Sequence, residues 1–189
     1  MIIVTAPSGS GKTTLVRHLL SKIDDLCFSV SATTRKRRHY EVDGKDYYFL
    51  SKADFEEKME SKALLEYEEV YPGQFYGTMV TELERIWKVN KSIIFDIDVH
   101  GAVRLKRKFP EGSLAVFVRP PSIEELRHRL VSRNTEDDES LNKRLERAEH
   151  EMTFEDRFDS TIVNDDLDVA KKQVVELVTT FLNNSEALT

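Results

Sequence analysis

Short apolar runs alternate along the chain with longer stretches in which apolar residues recur every three or four positions. The runs are Ile2-Ile3-Val4, Leu26-Cys27-Phe28-Ser29-Val30-Ser31, Ser92-Ile93-Ile94-Phe95-Asp96, Leu114-Ala115-Val116-Phe117-Val118 and Thr161-Ile162-Val163. Runs of this length and apolarity predict strands buried on both faces. Helical spacing follows them. Leu15, Leu19 and Ile23 share one face, joined by Val16 and Leu20. Further helices are predicted over 102–108 and 123–132, and Ala170, Val174, Leu177 and Phe181 are in helical register near the end. Buried strands followed by helices predict crossover units and a parallel sheet, with ligands at the carboxyl ends of the strands.

Segment 33–80 interrupts this rhythm. Tyr47-Tyr48-Phe49-Leu50 predicts a strand, and Ser51 can cap a helix over 52–60 that carries Phe55 and Met59 on one face. Leu64-Leu65-Glu66-Tyr67 predicts another strand, Tyr71 to Gly77 reads as a loop, and a helix is expected over 81–89. The expected fold is therefore α/β: a parallel-sheet core flanked by helices, with a small mixed α/β insert.

Composition narrows the class. A chain of 189 residues suits one domain that can bury a real core, and 40% hydrophobic with 33% charged residues is ordinary for a soluble protein. No apolar run approaches the roughly 20 residues of a membrane helix. The chain opens on a strand and not on a secretory pattern, so a cytoplasmic protein is expected. Cys27 stands alone, which excludes an internal disulfide and a cysteine-rich zinc site. A net charge of −6 argues against a general nucleic-acid binder.

The candidate chemistry starts directly after the first strand, at Ala6-Pro7-Ser8-Gly9-Ser10-Gly11-Lys12-Thr13-Thr14. Small residues between a strand and a helix let backbone N–H groups surround a phosphate, and the helix N-terminus adds partial positive charge. Lys12 would reach the β- and γ-phosphates and the Thr13 hydroxyl would sit on Mg²⁺, which predicts a nucleoside triphosphate site. Ala6 stands where the strict pattern has Gly. Further along, Asp96, Asp98 and His100 alternate and would face one way if extended. They could ligate a metal directly, or an acid here could hold Mg²⁺ through water and position substrate. The most charged stretch is Arg35-Lys36-Arg37-Arg38-His39, either a solvated basic run, a nucleic-acid patch or a grip for phosphate.

Taken together, these residues resemble the guanylate kinase family of nucleoside monophosphate kinases. The resemblance spans nearly the whole chain, through the phosphate loop, Phe28-Ser29-Val30-Ser31 with Thr33-Thr34-Arg35, and Glu41-Val42-Asp43-Gly44-Lys45-Asp46-Tyr47. It continues through Tyr76-Gly77-Thr78, Asp96-Ile97-Asp98-Val99, Arg129-Leu130 to Arg133, Asn142-Lys143-Arg144-Leu145 and Ile162-Val163-Asn164-Asp165-Asp166. It departs at Lys36, Arg37, His39 and Tyr40, where relatives usually have prolines and a glycine, and at Asn134, where Gly is usual.

The resemblance implies a single phosphate-loop kinase domain over 1–189, with a core of 1–32, 81–125 and 157–189, a GMP-binding subdomain at 33–80 and a helical lid at 126–156. It implies transfer of the γ-phosphate of ATP to GMP, and to dGMP, with Mg²⁺ as cofactor, in purine nucleotide metabolism and GMP recycling. Ser8, Gly9, Ser10, Gly11, Lys12, Thr13, Thr14 and Asn164 would bind ATP. Ser31, Glu66, Thr78 and Asp96 would read the guanine edge, while Arg35, Arg38, Tyr47 and Tyr76 would hold the GMP phosphate. Glu66 alone would read as a surface strand residue, and only the resemblance gives it a role. Lys12 and the lid arginines Arg129, Arg133 and Arg144 would be catalytic, with Thr13 on the metal and Asp98 acting on it through water. His100 receives no role. No general base is expected, because the attacking phosphate oxygen is already anionic. Partners are expected to be ATP and GMP, with no nucleic acid and no membrane, in a monomer or homodimer. A peptide-binding module of the same fold, or a kinase for another acceptor, are the alternatives.

Overall fold

Ile2, Ile3 and Val4 carry no exposed surface, and Ala115 to Val118 are buried to the same degree. Such strands must be covered on both faces, which short β-branched runs between helices achieve. In the computed structural model, which describes residues 1–132 and 138–186, the elements run in the following order. They are β1 (Ile2–Thr5), α1 (Lys12–Lys22), β2 (Leu26–Phe28), β3 (Ser31–Thr33), β4 (Tyr48–Phe49), α2 (Lys52–Glu60), β5 (Leu64–Tyr71) and β6 (Gln74–Met79). Then come α3 (Val80–Trp87), β7 (Ser92–Ile97), α4 (Val99–Lys108), β8 (Leu114–Arg119), α5 (Ile123–Ser132), α6 (Asp138–Met152), β9 (Ser160–Val163) and α7 (Leu167–Glu186). The strands fall into a five-stranded parallel sheet, β2-β7-β1-β8-β9, and a four-stranded mixed sheet, β4-β3-β6-β5. Among the described residues no helix is long and apolar enough to cross a membrane.

The chain divides into two compact units, residues 1–24 with 96–189, and residues 25–95. In the first, β1 pairs in parallel with β8, from Ile2 opposite Leu114 to Thr5 opposite Phe117, and β8 pairs in parallel with β9. Helix α1 packs on α7, and α4 lies against β1 and β8. Leu126 and Leu130 of α5 meet Leu145 and Ala148 of α6 in a separate apolar cluster. That cluster holds the two helices of the expected lid region together.

In the second unit, β2 pairs with β7, and the four-stranded sheet is covered by α2. Ser51 caps this helix reciprocally: its hydroxyl accepts from Asp54 N–H and the Asp54 carboxylate accepts from Ser51 N–H. Phe55, fully buried, packs with Ala32 and Leu64, and Met59 joins from the same helix face. Truncating Phe55 to Ala would cost about 3–5 kcal/mol, as for other large buried aromatics.

Three local expectations differ from the structure. The run 26–31 is two strands in different sheets, because Ser29 N–H donates to Ile94 but the next amide, Val30 N–H, leaves the ladder for the Glu82 carboxylate. The loop expected over 71–77 is instead the turn and second strand of a hairpin, with only Pro72-Gly73 outside β5 and β6. Gly73 has φ 74°, and its N–H donates to Glu69 Oε1, so a turn two residues long closes a hairpin whose pairing is long in the sheet but short in sequence signal. Finally, β7 ends at Ile97 and Asp98 caps α4, its Oδ1 accepting from Gly101 N–H. Asp98 and His100 therefore do not share an extended face with Asp96.

Candidate active site

The phosphate loop joins β1 to α1, and two of its glycines are forced. Gly9 has φ 96° and Gly11 φ 90°, the left-handed region that L side chains avoid. Packing makes the same demand. A Cβ on Gly9 would lie 2.9 Å from Leu126 Cδ1, and one on Gly11 would lie 2.3 Å from Asn164 Nδ2. Asn164 is buried at the end of β9, where its own N–H donates to the Arg119 carbonyl and its Nδ2 donates 2.7 Å to the Ser10 carbonyl. Asn164 thus ties the loop to the sheet. The Ser10 hydroxyl is buried and has no partner among the described residues. Ser8, Thr13 and Thr14 are exposed around the loop.

Lys12 and Thr13 converge on one carboxylate. Lys12 Nζ lies 2.5 Å from Asp96 Oδ1 and donates to the Ile97 carbonyl at 2.7 Å. Thr13 Oγ1 donates to Asp96 Oδ2 at 2.7 Å. The Thr5 hydroxyl also donates to the Ile97 carbonyl, so the end of β7 is pinned from two sides. Asp96 was expected on the guanine edge; its contacts are with the phosphate loop. Asp98, expected near a metal, spans the start of α4 as a helix cap.

Of the expected lid residues, Arg129 on α5 donates to Glu125 Oε1 one turn earlier at 2.9 Å, and Arg144 stands half-buried on α6. Arg133 lies outside the described residues. Glu151, near the end of α6, is buried; Arg147 Nε donates to it at 2.6 Å. Burial pushes its carboxyl up, with Arg147 opposing, while Asp98 raises it and Lys12 lowers it. His100 makes an edge contact with the ring of Phe154, whose centroid is 4.9 Å away.

The second unit brings the residues expected to meet the acceptor nucleotide onto neighbouring strands. Ser31 of β3 stands opposite Thr78 of β6, and Thr78 stands opposite Glu66 of β5. Glu66 is only 5% exposed, and Thr78 Oγ1 donates to its Oε1 at 2.8 Å. Two hydroxyls and a carboxylate thus form one row across three strands. A buried carboxylate beside hydroxyls accepts N–H donors and rejects a lone pair.

Next to this row sit the arginines. Arg35 Nη2 and Nη1 donate to Glu41 Oε1 and Oε2 at 2.8 and 3.1 Å, a two-toothed contact, and its Nε donates to Tyr76 Oη at 3.1 Å. Its guanidinium lies 5.4 Å from the centroid of the Tyr47 ring, and Tyr47 in turn meets Tyr76 edge-on. Glu41 also accepts from the Arg38 N–H at 2.7 Å, and the exposed Arg38 head group lies 3.8 Å away. Hydrogen bonds from Arg35 hold the Glu41 carboxyl below its usual range, and the same bonds push the Arg35 guanidinium up. Arg35 is 15% exposed, so it is no member of a solvated basic run.

Three acidic residues here escaped the sequence. Glu41 lay within a recognised stretch but had no signal for its partners. Glu82 and Glu151 sit on helices at buried positions, where an acid is visible only as a break in an apolar face.

Known proteins bear on this arrangement. A family model described as guanylate kinase matches residues 1–181. The guanylate kinase of Salinibacter ruber is 48% identical over 184 residues, covering 97% of this chain and 97% of that one. That of Bacteroides thetaiotaomicron is 45% identical over 183 residues, 97% of this chain and 90% of the relative. The crystal structure of guanylate kinase from Anaplasma phagocytophilum superimposes with a TM-score of 0.77 at 29% identity, covering 95% of this chain and 84% of that one.

Proposed function

The chain belongs to the guanylate kinase family and is an ATP:GMP phosphotransferase, and we propose a division of labour among its residues on that premise. Ser8 to Thr14 wrap the triphosphate of ATP. The buried Ser10 hydroxyl gains a phosphate oxygen as partner, and Asn164 keeps the loop in shape beneath it. Lys12 leaves Asp96 for the β- and γ-phosphates, since an ammonium moves readily from one anion to another. Arg129, Arg133 and Arg144 neutralise charge on the phosphoryl group in flight, with 126–156 acting as the lid.

The residues present fit Mg²⁺. The Thr13 hydroxyl and the Asp96 carboxylate are hard oxygen donors already 2.7 Å apart. Among the described residues no group of three or more His, Cys, Asp or Glu could hold a metal alone. An ion that keeps several waters and takes phosphate oxygens as ligands needs few donors from the protein. When bound, the ion neutralises charge on the transferring phosphoryl group. Thr13 and Asp96 would hold it, and the contacts of Asp96 favour this side over the guanine edge. Asp98 orients α4 and contributes through water at most.

The acceptor nucleotide falls to segment 33–80 with Ser31. Arg35, Arg38, Tyr47 and Tyr76 take its phosphate, and Glu41 keeps both arginines in place. The attacking oxygen is anionic near neutral pH, so positioning and charge neutralisation carry the rate. These residues address base and phosphate, which makes dGMP a second acceptor. The same reading places the protein in purine nucleotide metabolism and GMP recycling in the cytoplasm, as a monomer or homodimer that engages neither nucleic acid nor membrane.

The observation that carries the acceptor assignment is the row Ser31, Thr78 and Glu66. Guanine offers donors at N1 and N2 to that carboxylate, whereas adenine offers a lone pair at N1. The test is ADP release with ATP, Mg²⁺ and GMP, AMP, CMP or UMP in parallel, for the wild type and Glu66→Gln. Wild-type activity with GMP is expected to dominate. The variant is expected to lose roughly 10-fold or more in kcat/KM for GMP, the equivalent of one unsatisfied buried polar group. An unchanged ratio of GMP to AMP in the variant would remove Glu66 from the pocket.

A further inference from the structure

Glu82 is 2% exposed on the first turn of α3, and none of the chemistry above uses it. A charge so deeply placed must be matched by donors. It is: Val30 N–H donates to Oε2 at 2.8 Å, Tyr48 Oη to Oε1 at 3.0 Å, Arg85 Nε to Oε1 at 2.9 Å and Arg85 Nη2 to Oε2 at 2.8 Å. Arg85 Nη2 also donates to the Phe28 carbonyl at the end of β2. Hydrogen bonds from Arg85, Val30 and Tyr48 overcome the effect of burial and keep the carboxyl below its usual range.

The donors come from chosen places. Val30 is the residue at which the chain leaves one sheet, and Ser31 opens β3 directly after it. Tyr48 opens β4, opposite Ala32, and Tyr47 stands immediately before it. A single carboxylate therefore holds the backbone next to Ser31 and the side chain next to Tyr47. Ser31 belongs to the base end of the acceptor set and Tyr47 to the phosphate end. We propose that Glu82 is a positioning residue for the acceptor nucleotide, setting the separation between the Ser31 hydroxyl and the Tyr47 hydroxyl without touching either nucleotide. The proposal rests on the acceptor assignment given above.

A role in stability alone would leave substrate affinities untouched, so the readout is the split between the two substrates. Glu82→Gln keeps the shape but turns one acceptor oxygen into a donor that faces Arg85 together with either the Tyr48 hydroxyl or the Val30 N–H. Tyr48→Phe deletes one hydrogen bond and preserves both ring and charge, so it serves even where Glu82→Gln folds poorly. Steady-state KM for GMP and for ATP should be measured for both, with melting temperatures. Glu82→Gln is expected to raise KM for GMP roughly 10-fold, and Tyr48→Phe a few-fold, in proportion to the hydrogen bonds lost. KM for ATP should stay within about twofold, no larger than a change of a few tenths of a kcal/mol. A lower melting temperature with unchanged KM for GMP in both variants would overturn the proposal, as would an equal rise in both KM values. Tyr47→Phe, run alongside, separates the two readings. If it raises KM for GMP while Glu82→Gln does not, the acceptor assignment stands and the positioning role falls. If neither variant moves KM for GMP, the acceptor assignment falls with it.

Discussion

The phosphate loop and the four-stranded mixed sheet both hold a cation beside a carboxylate, and they do so in opposite ways. At the loop, Lys12 meets Asp96 through a single ammonium on a flexible stem. At the sheet, Arg35 lies in a fixed plane, forked onto Glu41 and set beside the Tyr47 ring. An ammonium can turn to a new partner with little loss, whereas the Arg35 plane is held by Glu41, Tyr76 and the Lys36 carbonyl and aims its remaining N–H in a set direction. The first arrangement suits the proposed passage of Lys12 from Asp96 to a phosphate. The second suits the proposed grip on the acceptor phosphate.

The contrast can be broken most sharply at Lys12. Lys12→Ala is expected to lower kcat by at least about 10²-fold, as for other lost charge-stabilising donors, and to leave GMP binding unchanged in calorimetric titration. Turnover close to that of the wild type would take the loop out of the chemistry. Arg35→Lys probes the other side with its charge preserved. It is expected to raise KM for GMP roughly 10-fold through loss of the fork, with KM for ATP unaffected. Parallel changes in the two constants would mean that the regions do not divide the substrates.

The smallest effect sharpens the comparison through pH. Glu41 titrates below its ordinary value of 4.5 in the folded protein, chiefly because Arg35 donates to it. Its contribution to stability is therefore full above that value and is lost as pH falls through the folded one. Glu151 in the first unit is shifted up, chiefly by burial. Its contribution is present below the ordinary value and is lost as pH rises through the folded one. Melting temperatures from about pH 2.5 to 7, spanning the Glu41 window below 4.5 and the Glu151 window above it, should then drift in opposite senses relative to the wild type. Glu41→Gln should lose ground as pH rises, and Glu151→Gln should gain it. A common drift would contradict the two environments described here.

Much of this molecule is legible in its sequence. The loop from Gly9 to Thr13 announces itself because strand, small residues and helix are contiguous, and the chemistry lies in the backbone they leave uncovered. Helix α2 was readable from Ser51 and from the spacing of Phe55 and Met59, and α5 from its apolar period over 123–132. The hairpin at Pro72-Gly73 was not, since β5 carries Glu66, Glu68 and Glu69 and no apolar run marks β6. Its strands exist because they pair with each other and with β3, an interaction that no short window contains.

The sequence by itself determined the alternation of strands and helices in the parallel-sheet core, the phosphate loop, and the set of residue types from which a guanine and phosphate grip could be made. Those features rest on local backbone preference and on apolar periodicity, which act between near neighbours in the chain. Only the tertiary structure decided partners: Asp96 for Lys12 and Thr13, Glu41 for Arg35, and Glu82 for Val30 and Tyr48. A charge or a hydrogen-bond donor acts over a few ångströms in any direction, and the chain must fold before it is clear which carboxylate lies within that reach.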